Sequence, residues 1–124
     1  MTWLLVALGG AVGTAGRYGL ARLATIYPGL GMPWGTFAAN LLGSFLLGLV
    51  VTRTQNRTIL GVEAPLVLGV GVMGGFTTYS SFNLETIRLF EEEGFLRAVV
   101  YLSLTVISCL AGGICGLMIG RSVE

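Results

Sequence analysis

Polar side chains recur every four residues along two otherwise apolar stretches. Thr36, Asn40, Ser44 and Gly48 fall on one helical face, and Tyr101, Thr105 and Cys109 fall on another, with Ser108 beside them. Between the two lies GGFTTYSSFN, Gly74 to Asn83, where glycines and hydroxyls interrupt a third apolar stretch. The chemistry open to these groups is noncovalent. Amide and hydroxyl donors and the positive edges of aromatic rings can contact an anion without a formal countercharge, and carbonyls freed from a helix can bind a cation. Phe76, Tyr79, Phe82 and Glu85, three residues apart, share a face if the helix restarts there. Each feature also has a plainer reading. A Ser or Thr hydroxyl can bond back to its own helix, and an aromatic stripe can be core packing. The amide of Asn40 cannot be satisfied so locally.

Two of the ionisable groups within the apolar segments, Arg17 and Glu85, lie away from the segment ends that Arg22, Arg88 and Arg97 occupy. Arg17 either reaches to the interface or draws an anion into a vestibule. Glu85 either pairs with Arg88 one turn on or borders an ion path.

What is absent narrows the function classes further. The 124 residues contain no His, Lys or Asp, which removes imidazole catalysis, lysine Schiff bases and His-ligated metal centres. No nucleophile and base pair can be named, so an enzyme is the class least supported. There is no GxxxxGK[ST] loop for a nucleotide. The net charge of +1 leaves no basic footprint for nucleic acid. Cys109 and Cys115, six residues apart on one helical run, are separated by ~9 Å along its axis, beyond disulfide reach.

These groups must be positioned by membrane helices. The chain is 54% hydrophobic and 10% charged, and four apolar segments approach or exceed the ~20 residues of a span. They run from Trp3 to Ile26, Trp34 to Thr52, Ala64 to Phe90 and Phe95 to Ile119. Tyr27-Pro28-Gly29 and Gly31-Met32-Pro33 punctuate the first loop, Arg53 to Glu63 forms the second, and Glu91 to Gly94 the third. The first segment reads as a retained helix, since no basic region precedes Trp3. The expected architecture is an all-α membrane protein, residues 1–124 forming a single four-helix transmembrane domain. Its third helix is broken near the midplane, where Gly71, Gly74 and Gly75 weaken the ladder and Thr77, Thr78, Ser80 and Ser81 compete for backbone groups. Non-helical backbone at that depth is tolerated only against protein or a cavity.

Four spans place Arg53, Arg57 and Arg121 on one side and Arg22, Arg88 and Arg97 on the other. This even split assigns no orientation by the positive-inside rule and leaves open a single topology or insertion both ways. Small residues every fourth position, at Gly9 and Gly13, at Gly35, Ala39 and Gly43, and at Gly112, Gly116 and Gly120, permit close helix approach within one subunit or between two.

The segments GGAVGTAGRYGLAR (Gly9 to Arg22), GTFAANLLGSFLLG (Gly35 to Gly48) and GVMGGFTTYSSFNLE (Gly71 to Glu85) resemble successive signature segments of the bacterial Fluc/CrcB fluoride channels. The resemblance spans essentially the whole chain. It implies a passive fluoride exporter, built as an antiparallel, dual-topology homodimer in the bacterial inner membrane. It implies Asn40 as a pore donor, Tyr79 and Phe82 as the ring-edge pair and Tyr101 as part of a polar track. Arg17 would help form a vestibule, with Glu85, Thr36, Ser81 and Thr105 as further pathway residues. The carbonyls of Gly74 and Thr77 from both subunits would hold a structural sodium ion at the dimer centre. The chain departs from the family at Tyr79, where Phe is usual, and at Cys109 and Gly113, where further hydroxyls are expected. Two other readings compete: a small proton-coupled drug or cation antiporter, for which Glu85 is the available carboxylate, and a structural subunit of a larger membrane complex.

Overall fold

In a medium without water every backbone polar group needs an internal partner, and long apolar runs meet that need as helices. The computed structural model describes residues 1–26, 29 and 31–122. It contains three long apolar helices: α1 (Thr2–Ile26), α2 (Trp34–Arg53) and, at the other end of the chain, Phe95–Ser122. All three are long and apolar enough to cross a membrane. Their outward faces leave Trp3, Val12, Ile107 and Leu110 more than half exposed, as suits a surface that meets lipid. The turn signal at Tyr27-Pro28 lies outside the described residues.

Between α1 and α2, the Trp34 indole donates to the Gly29 carbonyl at 2.7 Å, and its ring meets Phe37 edge to face at 5.6 Å. The second connection, expected as a loop, contains a hairpin. Strand β1 (Thr58–Ile59) pairs antiparallel with β2 (Val62–Glu63) across a two-residue turn, with positive φ at Leu60 (49°) and Gly61 (80°). Two positive φ values in succession match the twist of short hairpins.

The third apolar stretch is not one helix. Leu66–Met73 winds as a π-helix, which continues into the single turn α3 (Gly74–Phe76). The chain is extended at Thr77 and Thr78, then restarts as α4 (Tyr79–Glu93). A break was expected here, but the glycines do not make it. Gly74 has helical φ and ψ of −61° and −38°, and its N–H donates to the Gly69 carbonyl five residues back. Glycine in this stretch instead admits α1: a Cβ on Gly71 would lie 2.9 Å from the Val6 carbonyl oxygen, and one on Gly9 would lie 2.7 Å from that of Val67.

The expected third loop shrinks to one residue. Glu91, Glu92 and Glu93 complete α4, since Glu favours helix, and Gly94, with φ of 97°, turns the chain into α5 (Phe95–Ser122). The small-residue stripes serve contacts within the chain. Gly112 and Gly116 lie against Leu41 and Phe45 of α2, Gly35 meets Ala21 and Ala24 of α1, and Gly48 sits where a Cβ would come 2.6 Å from the Gly113 carbonyl. The result is a tight α2–α5 pair and a tight α1–π-helix pair. Where α4 joins α5, Phe82, Leu89, Ala98 and Tyr101 form a buried cluster, with Met32 and Phe37 packed on it.

Candidate functional site

The site grows from the break. Because the chain is extended at Thr78, that residue's N–H and C=O have no helical partners nearby, and the Asn40 side chain of α2 takes both. Its Oδ1 accepts from Thr78 N–H at 2.7 Å, and its Nδ2 donates to the Thr78 carbonyl at 3.0 Å. One amide thus imitates a strand partner at a place where an unpaired backbone group is costly. An amide nitrogen carries two hydrogens. Among the described residues the second Asn40 hydrogen has no protein acceptor, and Asn40 borders a cavity of about 200 Å³.

Thr78 also starts α4. Its Oγ1 accepts from Ser81 N–H at 3.3 Å as an N-cap and donates to Ser81 Oγ at 3.1 Å. Ser81, expected on the pathway, is engaged in this cap and is not on the cavity wall. With the restart set at Tyr79, Tyr79 and Phe82 come onto one face. Their rings meet at 5.9 Å with planes 66° apart, and Phe82 meets Tyr101 at 5.5 Å. The cavity is walled by Tyr79, Phe82, Asn40, Ser44, Thr105, Val106 and Cys109. Thr105 is 3% exposed, and its hydroxyl has no hydrogen-bond partner. An unpartnered buried hydroxyl costs ~1–3 kcal/mol. Phe76 does not share this face. It precedes the break, and its ring lies against Gly16 and Gly43.

Glu85 departs from the pairing expected with Arg88. Its Oε1 accepts from Thr36 Oγ1 at 2.7 Å and its Oε2 from the Tyr101 hydroxyl at 3.0 Å. The ion pair formed among the described residues joins Glu93 to Arg97, one turn on, at 3.3 Å. Thr36, Glu85, Tyr101, Phe82 and Tyr79 therefore form a continuous row from α2 to the cavity. Tyr101 is fully buried in this row.

Arg17 lies at the break. Its Nε donates to the Gly75 carbonyl at 3.2 Å, which also receives Thr14 Oγ1 at 3.4 Å. It is absent from the cavity wall. The Gly74 and Thr77 carbonyls are distinctive in another way. In an unbroken helix they would receive the N–H groups of Thr78 and Ser81, but Thr78 N–H goes to Asn40 and Ser81 N–H to Thr78 Oγ1. Gly74 is also exposed on the chain's surface. Among the described residues, no cluster of His, Cys, Asp or Glu forms a metal site. Carbonyl oxygens are hard donors that suit an alkali or alkaline-earth cation and need no such cluster.

The residue least visible in the sequence is Thr78, which holds Asn40 and caps α4 at once. Its available signal was a Thr three residues before a Ser at the head of an amphipathic stretch. Ser44 and Cys109 were placed on the polar faces, and both do border the cavity.

A chain of apolar helices, interrupted by extended backbone next to a cavity lined by amide, hydroxyl and aromatic side chains, defines a small multi-pass membrane protein built to contact a permeating solute. The profile of the family "CrcB-like protein, Camphor Resistance (CrcB)" matches residues 4–117. A protein of Sorangium cellulosum named "Fluoride-specific ion channel FluC" is 43% identical over 119 residues, covering 96% of this chain and 94% of that one. Proteins of the same name from Geobacter sulfurreducens (39% over 122 residues, 98% of each) and Agrobacterium fabrum (40% over 119 residues, 96% of this chain and 95% of that one) are similar throughout. The chain belongs to the CrcB family.

Proposed function

We propose that this protein is a fluoride-selective passive channel that exports fluoride and lowers its cytoplasmic concentration. The names of its relatives supply the ion, and the observation that carries the reading is the cavity that Asn40 and Thr105 line together with Tyr79 and Phe82. Fluoride is small and strongly hydrated. It exchanges its water for short contacts from amide, hydroxyl and ring-edge donors, whereas a larger halide fits such a space poorly. Among the described residues no fixed cation sits on the cavity wall to trap the ion, as conduction requires. Fluoride that enters an acidified cell as neutral HF dissociates inside, and the membrane potential then drives the anion out without a nucleotide or an enzyme step.

The working assembly in this proposal is an antiparallel homodimer of four-span subunits inserted both ways in the bacterial inner membrane. The even arginine split supports it, as does the exposure of Gly74 and Tyr79, groups of the proposed sodium site and pathway that are left uncovered on one chain. The released carbonyls of Gly74 and Thr77, together with their copies from a second chain, are the oxygens that would hold a structural sodium ion. There the ion would accept those oxygens as ligands and offset the repulsion between converging carbonyl dipoles. Arg17 fits the outer part of the path by anchoring the break, and Thr36, Glu85 and Tyr101 supply a polar route towards it.

The test is anion efflux from liposomes containing the purified protein, loaded with potassium fluoride or potassium chloride and released with valinomycin. Rapid fluoride release with negligible chloride release is expected. Absence of both from verified dimers would overturn the channel reading.

A further inference from the structure

Helices α2 and α5 run parallel. Gly112 and Gly116 meet Leu41 and Phe45, and Gly120 lies buried against Thr52, so the two helices end together at one level. Each carries an arginine in its last turn, Arg53 on α2 and Arg121 on α5. Arg53 Nε donates to the Gly120 carbonyl at 3.2 Å, which seats its guanidinium beside the residue that precedes Arg121. Past α2 the chain turns at once, the Arg57 N–H donating to the Thr54 carbonyl at 3.0 Å, and this keeps a third arginine at the same end.

A last-turn arginine is ordinarily explained by the negative end of the helix dipole, and the bond to Gly120 is a contact of that kind. It uses one of the five guanidinium hydrogens of Arg53. Arg53, Arg57 and Arg121 are all exposed, and among the described residues none of them forms an ion pair. Glu63, the acid at this end among the described residues, stands opposite Thr58 in the hairpin and is unpaired as well. The other end of the bundle differs. There Glu91, Glu92 and Glu93 accompany Arg88 and Arg97, and Glu93 pairs with Arg97 at 3.3 Å. Arginines divide evenly between the two ends, but acids do not, so positive charge is left uncompensated where α2 and α5 meet. Exposed Met118 and Ile119 lie within one turn of Arg121, so apolar surface adjoins that charge.

We propose that Arg53 and Arg121, with Arg57 at the rim, bind the phosphate headgroup of an anionic phospholipid. Guanidinium forks match phosphate oxygens bidentately, and the ends of two spans stand at headgroup depth. The acyl chains lie against Met118 and Ile119. A net negative lipid is preferred to a zwitterionic one, because the cluster repels an ammonium group and Glu63 is the single described acid at this end to receive it. The site rests on α2 and α5 spanning the membrane and not on which ion the protein passes.

The experiment titrates the full-length protein in detergent with dioleoylphosphatidylglycerol or dioleoylphosphatidylcholine and counts bound lipids by native mass spectrometry. Preferential binding of phosphatidylglycerol is expected. Arg121→Gln should weaken it about fivefold and the Arg53→Gln, Arg121→Gln pair about 25-fold, at ~1 kcal/mol for each interfacial arginine, with phosphatidylcholine binding unchanged. Arg121 is exposed and outside the Gly120 contact, so its single variant reads the site even where loss of the Arg53 bond unsettles the helix ends. Arg88→Gln, at the opposite end, should bind as the unsubstituted protein does. Equal affinity for the two lipids, or phosphatidylglycerol binding by the paired variant within about twofold of the original, overturns the site. An equal loss in Arg88→Gln overturns its location. Displacement of the lipid by inorganic phosphate at matched ionic strength makes a free anion the occupant and overturns the lipid. Absence of fluoride efflux from the same protein would overturn the channel reading and leave this site standing.

Discussion

Asn40→Ala isolates what the amide does at the break. The substitution removes the donor to the Thr78 carbonyl and the acceptor of the Thr78 N–H, bonds of 3.0 and 2.7 Å. A buried backbone group left without its partner costs ~1–3 kcal/mol, and each 1.4 kcal/mol is a factor of ten in an opening equilibrium. Local opening of the Thr77–Thr78 turn should therefore become about 5- to 150-fold more frequent for the N–H contact alone. Amide hydrogen exchange of the protein in detergent reads this directly, as accelerated exchange at Thr78 and in the first turn of α4, with the remote α2–α5 contact near Gly116 unaffected. Asn40→Asp separates position from charge. It keeps an acceptor for Thr78 N–H but sets an anionic oxygen against the Thr78 carbonyl and the anion path. It should protect Thr78 better than Ala does and still lose fluoride flux. If Thr78 exchange in Asn40→Ala stays within about twofold of the unsubstituted protein, the backbone of the break does not depend on the amide, and the account of how the cavity is built fails.

Phe82→Ile removes the ring between Tyr79 and Tyr101. Fluoride flux should fall roughly 2- to 12-fold, the equivalent of a ring-edge contact worth ~0.5–1.5 kcal/mol, whereas Leu89→Ile in the same buried cluster should leave it nearly unchanged; liposome efflux of the two variants side by side decides it. Glu85→Gln keeps an acceptor and a donor facing the Thr36 and Tyr101 hydroxyls, so passive fluoride flux should persist, while abolished flux would bring the proton-coupled carrier reading forward. If the proposed sodium site holds, stripping sodium during refolding should weaken dimer assembly and flux together, measured by cross-linking and efflux, because in the proposed dimer the Gly74 and Thr77 carbonyls would then face one another without a cation. Unchanged assembly would remove the central-ion role. Gly116→Val puts side-chain atoms into the Phe45 carbonyl of α2 and should destabilise the fold by ~1–3 kcal/mol, seen as a lower detergent unfolding midpoint, with Cys115→Val at an exposed position as the near-neutral control.

The helices were legible because apolar length is a strong signal, and α1, α2 and α5 lie within a few residues of their expected bounds. The break was legible in outline from GGFTTYSSFN, but its position was not. Gly71, Gly74 and Gly75 look like helix breakers by propensity, yet all three remain helical, and α1 packs against Gly71 and Gly75. The chain parts at Thr77–Thr78, where a partner 38 residues away, Asn40, replaces the helical hydrogen bonds. That is a tertiary fact which no local pattern carries. The same holds for Glu85: sequence spacing offers Arg88, whereas folding offers the Thr36 and Tyr101 hydroxyls, which lie closer. The hairpin at Thr58–Glu63 escaped because two-residue strands show no alternation to read. Of the expected pathway residues, Asn40, Tyr79, Phe82 and Thr105 share the cavity, with Tyr101, Glu85 and Thr36 behind them, while Ser81 and Arg17 serve the backbone of the break.

The π-helix from Leu66 to Met73 has a consequence for how this chain can change length. A π-turn takes up more residues than an α-turn, and such a segment relates to an ordinary helix by the gain or loss of a residue. Losing one there while the stretch keeps its winding would turn everything beyond it by roughly a quarter-turn, and only a simultaneous tightening to α geometry, at ~100° per residue, would restore the phase. Short of that tightening, Thr78 would swing off Asn40, and Tyr79 and Phe82 would leave the cavity together. The exposed loop at Gln55-Asn56, ahead of the hairpin and outside any paired strand, can absorb the same deletion more readily. Two neighbouring stretches of one short chain thus differ in indel tolerance: one is a spacer, and the other is a phase setting for the cavity wall.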